Sequence, residues 1–126
     1  MRIYKTKWFE SWATDENVSD QSLLDAIEEM EKGLKGAVLG GSLYKKRIAI
    51  EGRGKRGGKR MIIAFVERKK AFFVYGFSKN ETENIDRKQE KSLKEVSKRL
   101  LSYTDKEIQY AVKEGILFEV KKYEVN

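Results

Sequence analysis

The sequence of 126 residues contains no cysteine, no histidine and no proline. Because there is no cysteine, the chain has no disulfides, which agrees with a reducing compartment such as the cytoplasm. The absence of both histidine and cysteine excludes a Cys/His zinc site, a Ser-His-Asp triad and a ribonuclease with paired histidines. Any catalysis must therefore use lysine, arginine, tyrosine, the carboxylates or the substrate itself.

Long apolar runs are also absent from the sequence. No stretch approaches the roughly 18 consecutive apolar residues of a membrane-spanning helix. The segment Met1–Glu10 lacks the apolar centre of a secretion signal. We therefore expect no membrane as a partner. Since no repeat and no linker interrupts the chain, we expect a single domain over residues 1–126.

Positive charge is what the sequence has in excess. Lysine and arginine number 27 against 20 aspartate and glutamate residues, so the formal net charge is +7. Hydrophobic residues make up 40% of the chain, which is enough for a folded core. A basic folded protein is most often a binder of polyanions, and nucleic acid is the first candidate.

Helical patterns stand on both sides of a strand-like middle region. Ser19 is suited to cap the start of a helix, and Gly33 and Gly36 are expected to end it. The apolar stripe of this helix is expected to lie in the core. That stripe consists of Leu23, Leu24, Ile27, Met30 and Leu34. A second helix is expected over Asp86–Ser102. A capping box predicts a third helix within Thr104–Gly115.

The middle of the sequence has the pattern of strands. Leu43–Ile50 alternates in polarity, and Met61–Glu67 and Ala71–Phe77 are rich in β-branched and aromatic residues. The last two are expected to be the central strands, joined by a tight hairpin. A short strand followed by a helical turn is expected within Met1–Ala13, and Ile116–Val120 is a last strand or a docked tail. The sequence thus predicts a small α+β fold, a twisted antiparallel sheet packed by helices.

A glycine-rich basic segment separates two of these strands. Glu51–Arg60, EGRGKRGGKR, holds five cations and four glycines. Its cations are Arg53, Lys55, Arg56, Lys59 and Arg60. Glycine lets the backbone approach a phosphate closely, and exposed N–H groups and cations can then surround it. Alternation in the preceding strand places Lys45 and Arg47 together on one face. The alternative is a solvated hairpin loop without a ligand.

Gly52, Gly54 and Gly57 match the GxGxxG spacing of dinucleotide-binding proteins. That fingerprint requires a strand before it and a helix after it, whereas here a strand follows. The match is interpreted as accidental. The phosphate-binding pattern GxxxxGK[ST] does not occur, so a nucleotide hydrolase is not favoured.

Three segments carry a resemblance to a known family: Lys45–Ala49 (KKRIA), Gly54–Arg60 (GKRGGKR) and Phe73–Ile85 (FVYGFSKNETENI). Together they resemble the RelE/HigB-like toxins of bacterial type II toxin–antitoxin systems, within the RelE/ParE superfamily. The ending Gly115–Val120 also fits, so the resemblance extends over most of the chain. It implies a compact antiparallel sheet with helices beside it, and a cognate antitoxin that binds and neutralises the toxin.

The resemblance also implies an activity. Such toxins typically cut mRNA in the ribosomal A site without a metal or cofactor, by attack of the RNA's own 2′-OH. The catalytic residues it suggests are Arg60, Lys55, Arg47 and Lys79. Residues expected to bind RNA are Lys45, Arg53, Arg56, Lys59, Tyr75 and Asn80. We expect Arg60 to clamp the scissile phosphate with its planar fork of donors. Lys55 and Arg47 would share the developing charge, and Lys79 would act as general acid or base.

The sequence departs from the family pattern at four positions. Arg56 stands where a small residue is common, and Thr82 replaces a frequent cation. Lys59 stands where an aromatic residue is usual, and Ile85 stands where several relatives carry a tyrosine as proposed general base. Two other functions stay open: a module that binds RNA or ribosomes without cutting, and a ParE-like toxin that inhibits DNA gyrase. An antitoxin-like DNA binder is less favoured, because no helix-turn-helix pattern is present. Tyr75 is alternatively a residue of the core or its rim.

Overall fold

The computed structural model describes residues 1–48, 58–78 and 84–121. Their elements are β1 (Arg2–Thr6), α1 (Lys7–Asp15), α2 (Asp20–Glu31), β2 (Ala37–Gly40), β3 (Leu43–Arg47), β4 (Lys59–Val66), β5 (Lys70–Ser78), α3 (Arg87–Ser102), α4 (Asp105–Lys113) and β6 (Leu117–Glu119). The strands form one sheet in the order β2-β3-β4-β5-β1-β6. This confirms the predicted α+β class, with the two predicted central strands, β4 and β5, in the middle of the sheet.

The sheet is antiparallel except between β1 and β5, which run parallel. Their pairing begins with Arg2 opposite Lys70 and stops with Lys5 opposite Phe73. Because β1 ends there, the second half of β5 is not paired with it. Helix α1 packs against that half instead, and this arrangement brings its aromatic residues next to the strand.

Each face of the sheet is covered by its own helices. On one face, α1 and α2 pack Phe9, Leu23, Ile27 and Met30 against Met61, Ile63 and Phe73. On the other, α3 and α4 pack Leu100 and Ile108 against Leu43, Ile62 and Phe72. Successive residues of β4 therefore enter opposite cores. This double burial explains why the central strands are apolar at consecutive positions instead of alternating with polar residues.

Helices α2, α3 and α4 begin at the residues that the sequence predicts. The Ser19 hydroxyl accepts a hydrogen bond from the first turn of α2. Asp86 with Gln89, and Thr104 with Glu107, form reciprocal capping boxes at the starts of α3 and α4. Such caps satisfy backbone N–H groups that have no partner inside the helix. None of the helices within the described part of the chain is long and apolar enough to cross a membrane.

The end of α2 differs from the prediction. Leu34 was expected in the buried stripe, but the helix ends at Glu31 and Leu34 is 61% exposed. Gly33 has a φ of 100°, and the N–H of Leu34 bonds back to the carbonyl of Glu29. This left-handed glycine reverses the chain before the next apolar position. The reversal leads into β2, a short strand that the sequence analysis did not predict.

Gly76 in β5 makes room for the indole ring of Trp12. A Cβ atom at position 76 would overlap the Trp12 ring, which also contacts Phe9 at a centroid distance of 5.3 Å. We expect Gly76→Ala to lower the free energy of unfolding by about 1–3 kcal/mol, the usual effect of overpacking. Urea denaturation measures this change.

The matched control repeats the glycine substitution in a Trp12→Ala background. If the indole ring is the obstacle, Gly76→Ala should have a smaller effect there, because the overlap has been removed. An equal loss of stability in both backgrounds would show that the effect has another cause.

Candidate functional site

Two rows of side chains cross β3, β4 and β5 on the face that α3 covers. The first row is Lys45, Ile62 and Tyr75, and the second is Arg47, Arg60 and Phe77. Residues directly opposite each other in paired strands project from the same face of the sheet. The two rows therefore bring together four of the predicted site residues: Lys45, Arg47, Arg60 and Tyr75.

Arg60 has an unusual environment for a cation. Its guanidinium atom Nη1 is buried and lacks a hydrogen-bond partner within the described residues. Burial, and then the positive charge of Arg47 opposite, lower the pKa of Arg60 below its ordinary value. An arginine nevertheless stays charged at neutral pH. A buried donor without a partner is unfavourable, and an anionic oxygen would relieve it.

A groove of about 460 Å³ opens beside Arg60. Its lining includes Leu34, Gly36, Ala37, Lys45, Arg47 and Arg60. Gly36 has a φ of 77°, and a Cβ atom there would collide with the backbone of Lys45. Glycine thus lets the segment before β2 run close to β3. Cations along such a groove can bind a phosphodiester and stabilise additional charge that develops on it.

The cations that alternate with these residues point to the opposite face. Lys46 is buried, and its ammonium lies 2.7 Å from Glu29. The Lys59 ammonium lies 2.5 Å from Glu16 and 5.9 Å from the centre of the Trp12 ring. Lys59 was predicted to bind RNA beside Arg60. The structure instead places the sheet between the charged groups of these two neighbours and gives Lys59 a carboxylate partner.

Five of the predicted site residues lie outside the described residues: Arg53, Lys55, Arg56, Lys79 and Asn80. Their convergence on the two rows stays a prediction. Lys45 donates a hydrogen bond from its ammonium to Asn84 Oδ1 at 3.1 Å. In residues 1–48, 58–78 and 84–121, no group of three or more carboxylates stands close enough to hold a metal ion.

Tyr75 is partly exposed and belongs to an aromatic stack. The centre of its ring lies 4.4 Å from that of Trp8, with an angle of 21° between the planes. Its hydroxyl lies 3.5 Å from the amide nitrogen of Gln89 in α3. Sequence reasoning did not assign Trp8 or Gln89 to the site. The mixture of aromatic and basic residues at the start of the sequence was the only signal for Trp8, and none was present for Gln89.

A comparison with protein families matches most of the chain to a family model. The model described as RelE toxin of RelE / RelB toxin-antitoxin system matches residues 1–120. The match covers every helix and strand from β1 to β6, and it includes both rows of side chains.

Proposed function

The chain belongs to the RelE toxin family of RelE/RelB toxin–antitoxin systems, and from this premise we propose that it is a ribosome-dependent mRNA endoribonuclease. Membership of the family implies a cognate antitoxin as partner. In this proposal residues 1–126 form one toxin domain that acts in the cytoplasm, and its substrate is mRNA held in the ribosome.

The observation that carries the proposal is the pair Arg47 and Arg60 beside the groove. Like charges directly opposite each other destabilise paired strands. Here one of the two also has a buried donor without a partner in the described structure. A phosphodiester in the groove would neutralise both cations and satisfy that donor. The fork of an arginine matches two oxygens of a phosphate, so this arrangement is suited to an RNA backbone.

The proposed reaction needs no other reagent. The 2′-oxygen of the RNA attacks the adjacent phosphorus, the bond from phosphorus to the 5′-oxygen breaks, and the products are a 2′,3′-cyclic phosphate and a 5′-hydroxyl. A base removes the proton of the 2′-OH, and an acid gives one to the 5′-oxygen. Arg60 clamps the non-bridging oxygens, and Arg47 shares the charge that develops there.

The family resemblance suggests the roles of Lys45, Lys55, Lys79 and Asn80. The roles of Arg53 and Arg56 rest on the charge of the glycine-rich segment, and that of Tyr75 rests on its aromatic ring. Lys55 adds a second donor to the phosphate, and Lys79 exchanges a proton with the substrate. Lys45, Arg53, Arg56 and Asn80 hold the flanking RNA, and Tyr75 contacts a base. Lys59 contributes to RNA binding only if its pairing with Glu16 is given up, which makes it the least supported member of the set.

Mapping mRNA ends on translating ribosomes tests this function. Addition of the purified protein should create new 5′-hydroxyl ends within the A-site codon, and prior addition of the antitoxin should prevent them. Translational arrest without new ends would instead indicate a module that binds without cutting. DNA damage with gyrase inhibition and initially normal translation would indicate a ParE-like toxin.

A further inference from the structure

A second cavity borders Tyr75, the aromatic residue of the first row. It measures about 250 Å³ and is lined by Tyr75, Lys88, Gln89, Ser92 and Leu93. Trp8 is not part of its lining. The cavity therefore lies between the side chain of Tyr75 and the first two turns of α3, whereas Trp8 stacks on the Tyr75 ring from α1.

We propose that this cavity is a nucleobase pocket, in which Tyr75 stacks on a base of the bound RNA and Gln89 contacts the edge of that base. The inference rests on the proposed function, because it requires RNA at Arg60. It extends that function from the binding of phosphates to a preference among bases, which the cations of the two rows cannot provide.

The aromatic wall of the pocket is held in place from behind. Trp8 stacks on Tyr75, and a second indole, Trp12, lies parallel to Trp8 at a centroid distance of 6.4 Å. The side chain of Leu93 adds apolar surface to the lining of the cavity. Unpaired bases bind by stacking on aromatic side chains beside apolar surface, and this cavity offers both.

The polar rim of the pocket is able to distinguish bases. Gln89 uses Oε1 to accept a hydrogen bond from the backbone N–H of Asp86 in the capping box. Among the residues that the structure describes, its amide nitrogen has only the long contact of 3.5 Å to Tyr75. This donor is therefore available to a carbonyl oxygen on the edge of a base. Ser92 is exposed at the same rim and can donate or accept.

The pocket is close to the phosphate clamp. Tyr75 pairs directly with Ile62, so Arg60 is its diagonal neighbour across β4 and β5. Diagonal neighbours in a sheet lie about 7–8 Å apart. Exposed Lys88 at the rim provides a cation for the next phosphate. A base in the pocket would thus belong to a nucleotide that adjoins the phosphate held by Arg60.

Binding of short single-stranded RNA tests the pocket separately from cleavage. The probes are dye-labelled oligonucleotides with a 2′-deoxy scissile nucleotide, which cannot be cut, and with each of the four bases or an abasic site beside it. The wild type should bind the preferred base about 5- to 150-fold more tightly than the abasic probe, which is the range for stacking on an aromatic side chain. Fluorescence anisotropy gives the dissociation constants.

Three variants separate the contributions. Tyr75→Ala should abolish the difference between base and abasic probes, whereas Tyr75→Phe should keep it. Gln89→Glu keeps the capping oxygen but removes the donor, so it should change the order of the bases. Its added negative charge should weaken the binding of every probe, including the abasic one, by a similar factor. Tyr110→Ala, an exposed tyrosine on α4, is the matched control and should behave as the wild type.

The outcomes distinguish this inference from the proposed function. If the wild type cuts mRNA but binds base and abasic probes equally, the pocket is refuted and the function stands. If it prefers a base but creates no mRNA ends, the pocket stands and the nuclease is refuted. If no probe binds, the pocket is refuted, and the mRNA ends on translating ribosomes alone decide the function. If Tyr75→Ala weakens only the antitoxin complex, the pocket belongs to the antitoxin and the inference is wrong.

Discussion

Arg60→Ala is expected to lower the rate of mRNA cleavage by about 100- to 1000-fold, the usual effect of removing one preorganised donor to a developing charge. The fold should remain intact. The buried Nη1 atom has no protein partner within the described residues, so its removal breaks no hydrogen bond there. It also removes the repulsion with Arg47. The rate at which 5′-hydroxyl ends appear measures the loss of cleavage, and urea denaturation measures the stability of the fold.

A large loss of cleavage rate with an unchanged free energy of unfolding would show that Arg60 acts on the RNA and does not stabilise the fold. Arg60→Lys retains the charge but loses the planar fork, so its rate should lie between those of the wild type and the alanine variant. Arg99→Ala is the matched control, because this arginine is exposed on α3, and it should leave the rate unchanged. Wild-type cleavage by a folded Arg60→Ala protein would refute the assignment of Arg60.

Local signals explain which parts of the fold are predictable from the sequence. The starts of α3 and α4 depend on residues three positions apart, and the hairpin of β4 and β5 depends on a short turn. The parallel pairing of β1 with β5 joins Arg2 to Lys70, and no local pattern encodes it. Leu34 was misassigned because apolar periodicity continues past Gly33, although the backbone turns there.

The candidate site was also predicted in part. Alternation in β3 correctly places Lys45 and Arg47 on one face. The same alternation in β4 separates Lys59 from Arg60, but the two were grouped because they were read as parts of one loop. Membership in a strand, not nearness in sequence, decides which cations meet.

Tyr75 is the clearest example of tertiary control. From Phe73, strict alternation would place Tyr75 on the face of α1 and α2. The pairing register shifts, however, between Ile62 and Ile63. Ile63 pairs with Phe73, and the next residue of β4, Ile62, pairs with Tyr75 and not with Val74. This bulge inserts one residue, Val74, and turns Tyr75 towards α3. The nucleobase pocket therefore depends on an irregularity that the alternating pattern does not reveal.

Lys5→Met is expected to lower the free energy of unfolding by about 3 kcal/mol, at the low end of the range for removing one partner of a buried ion pair. The Lys5 side chain is only 9% exposed, and its ammonium lies 2.5 Å from Glu10 and 2.7 Å from Asp20. It thus links β1 to the starts of α1 and α2. Methionine keeps the length of the side chain but leaves two carboxylates without their cation. Urea denaturation at pH 7 measures the loss.

Lys32→Met is the matched control, since Lys32 pairs with Glu28 on the surface, where both side chains are largely exposed. Its effect should be below about 1 kcal/mol. Equal effects of the two substitutions would contradict a structural role for the buried pair.

The stabilisation by Lys5 should also depend on pH in one direction. Burial alone would lower the pKa of Lys5, but hydrogen bonds to Asp20 and Glu10 outweigh burial and raise the pKa above its ordinary value. Because the folded pKa exceeds the unfolded one, the contribution is fully present below about pH 10.4, the ordinary lysine value. It is lost as the pH rises through the folded pKa. The difference in stability between wild type and Lys5→Met should therefore stay constant around neutral pH and narrow only in strongly alkaline solution. A difference that already disappears between pH 6 and 9 would show that another group provides the stabilisation.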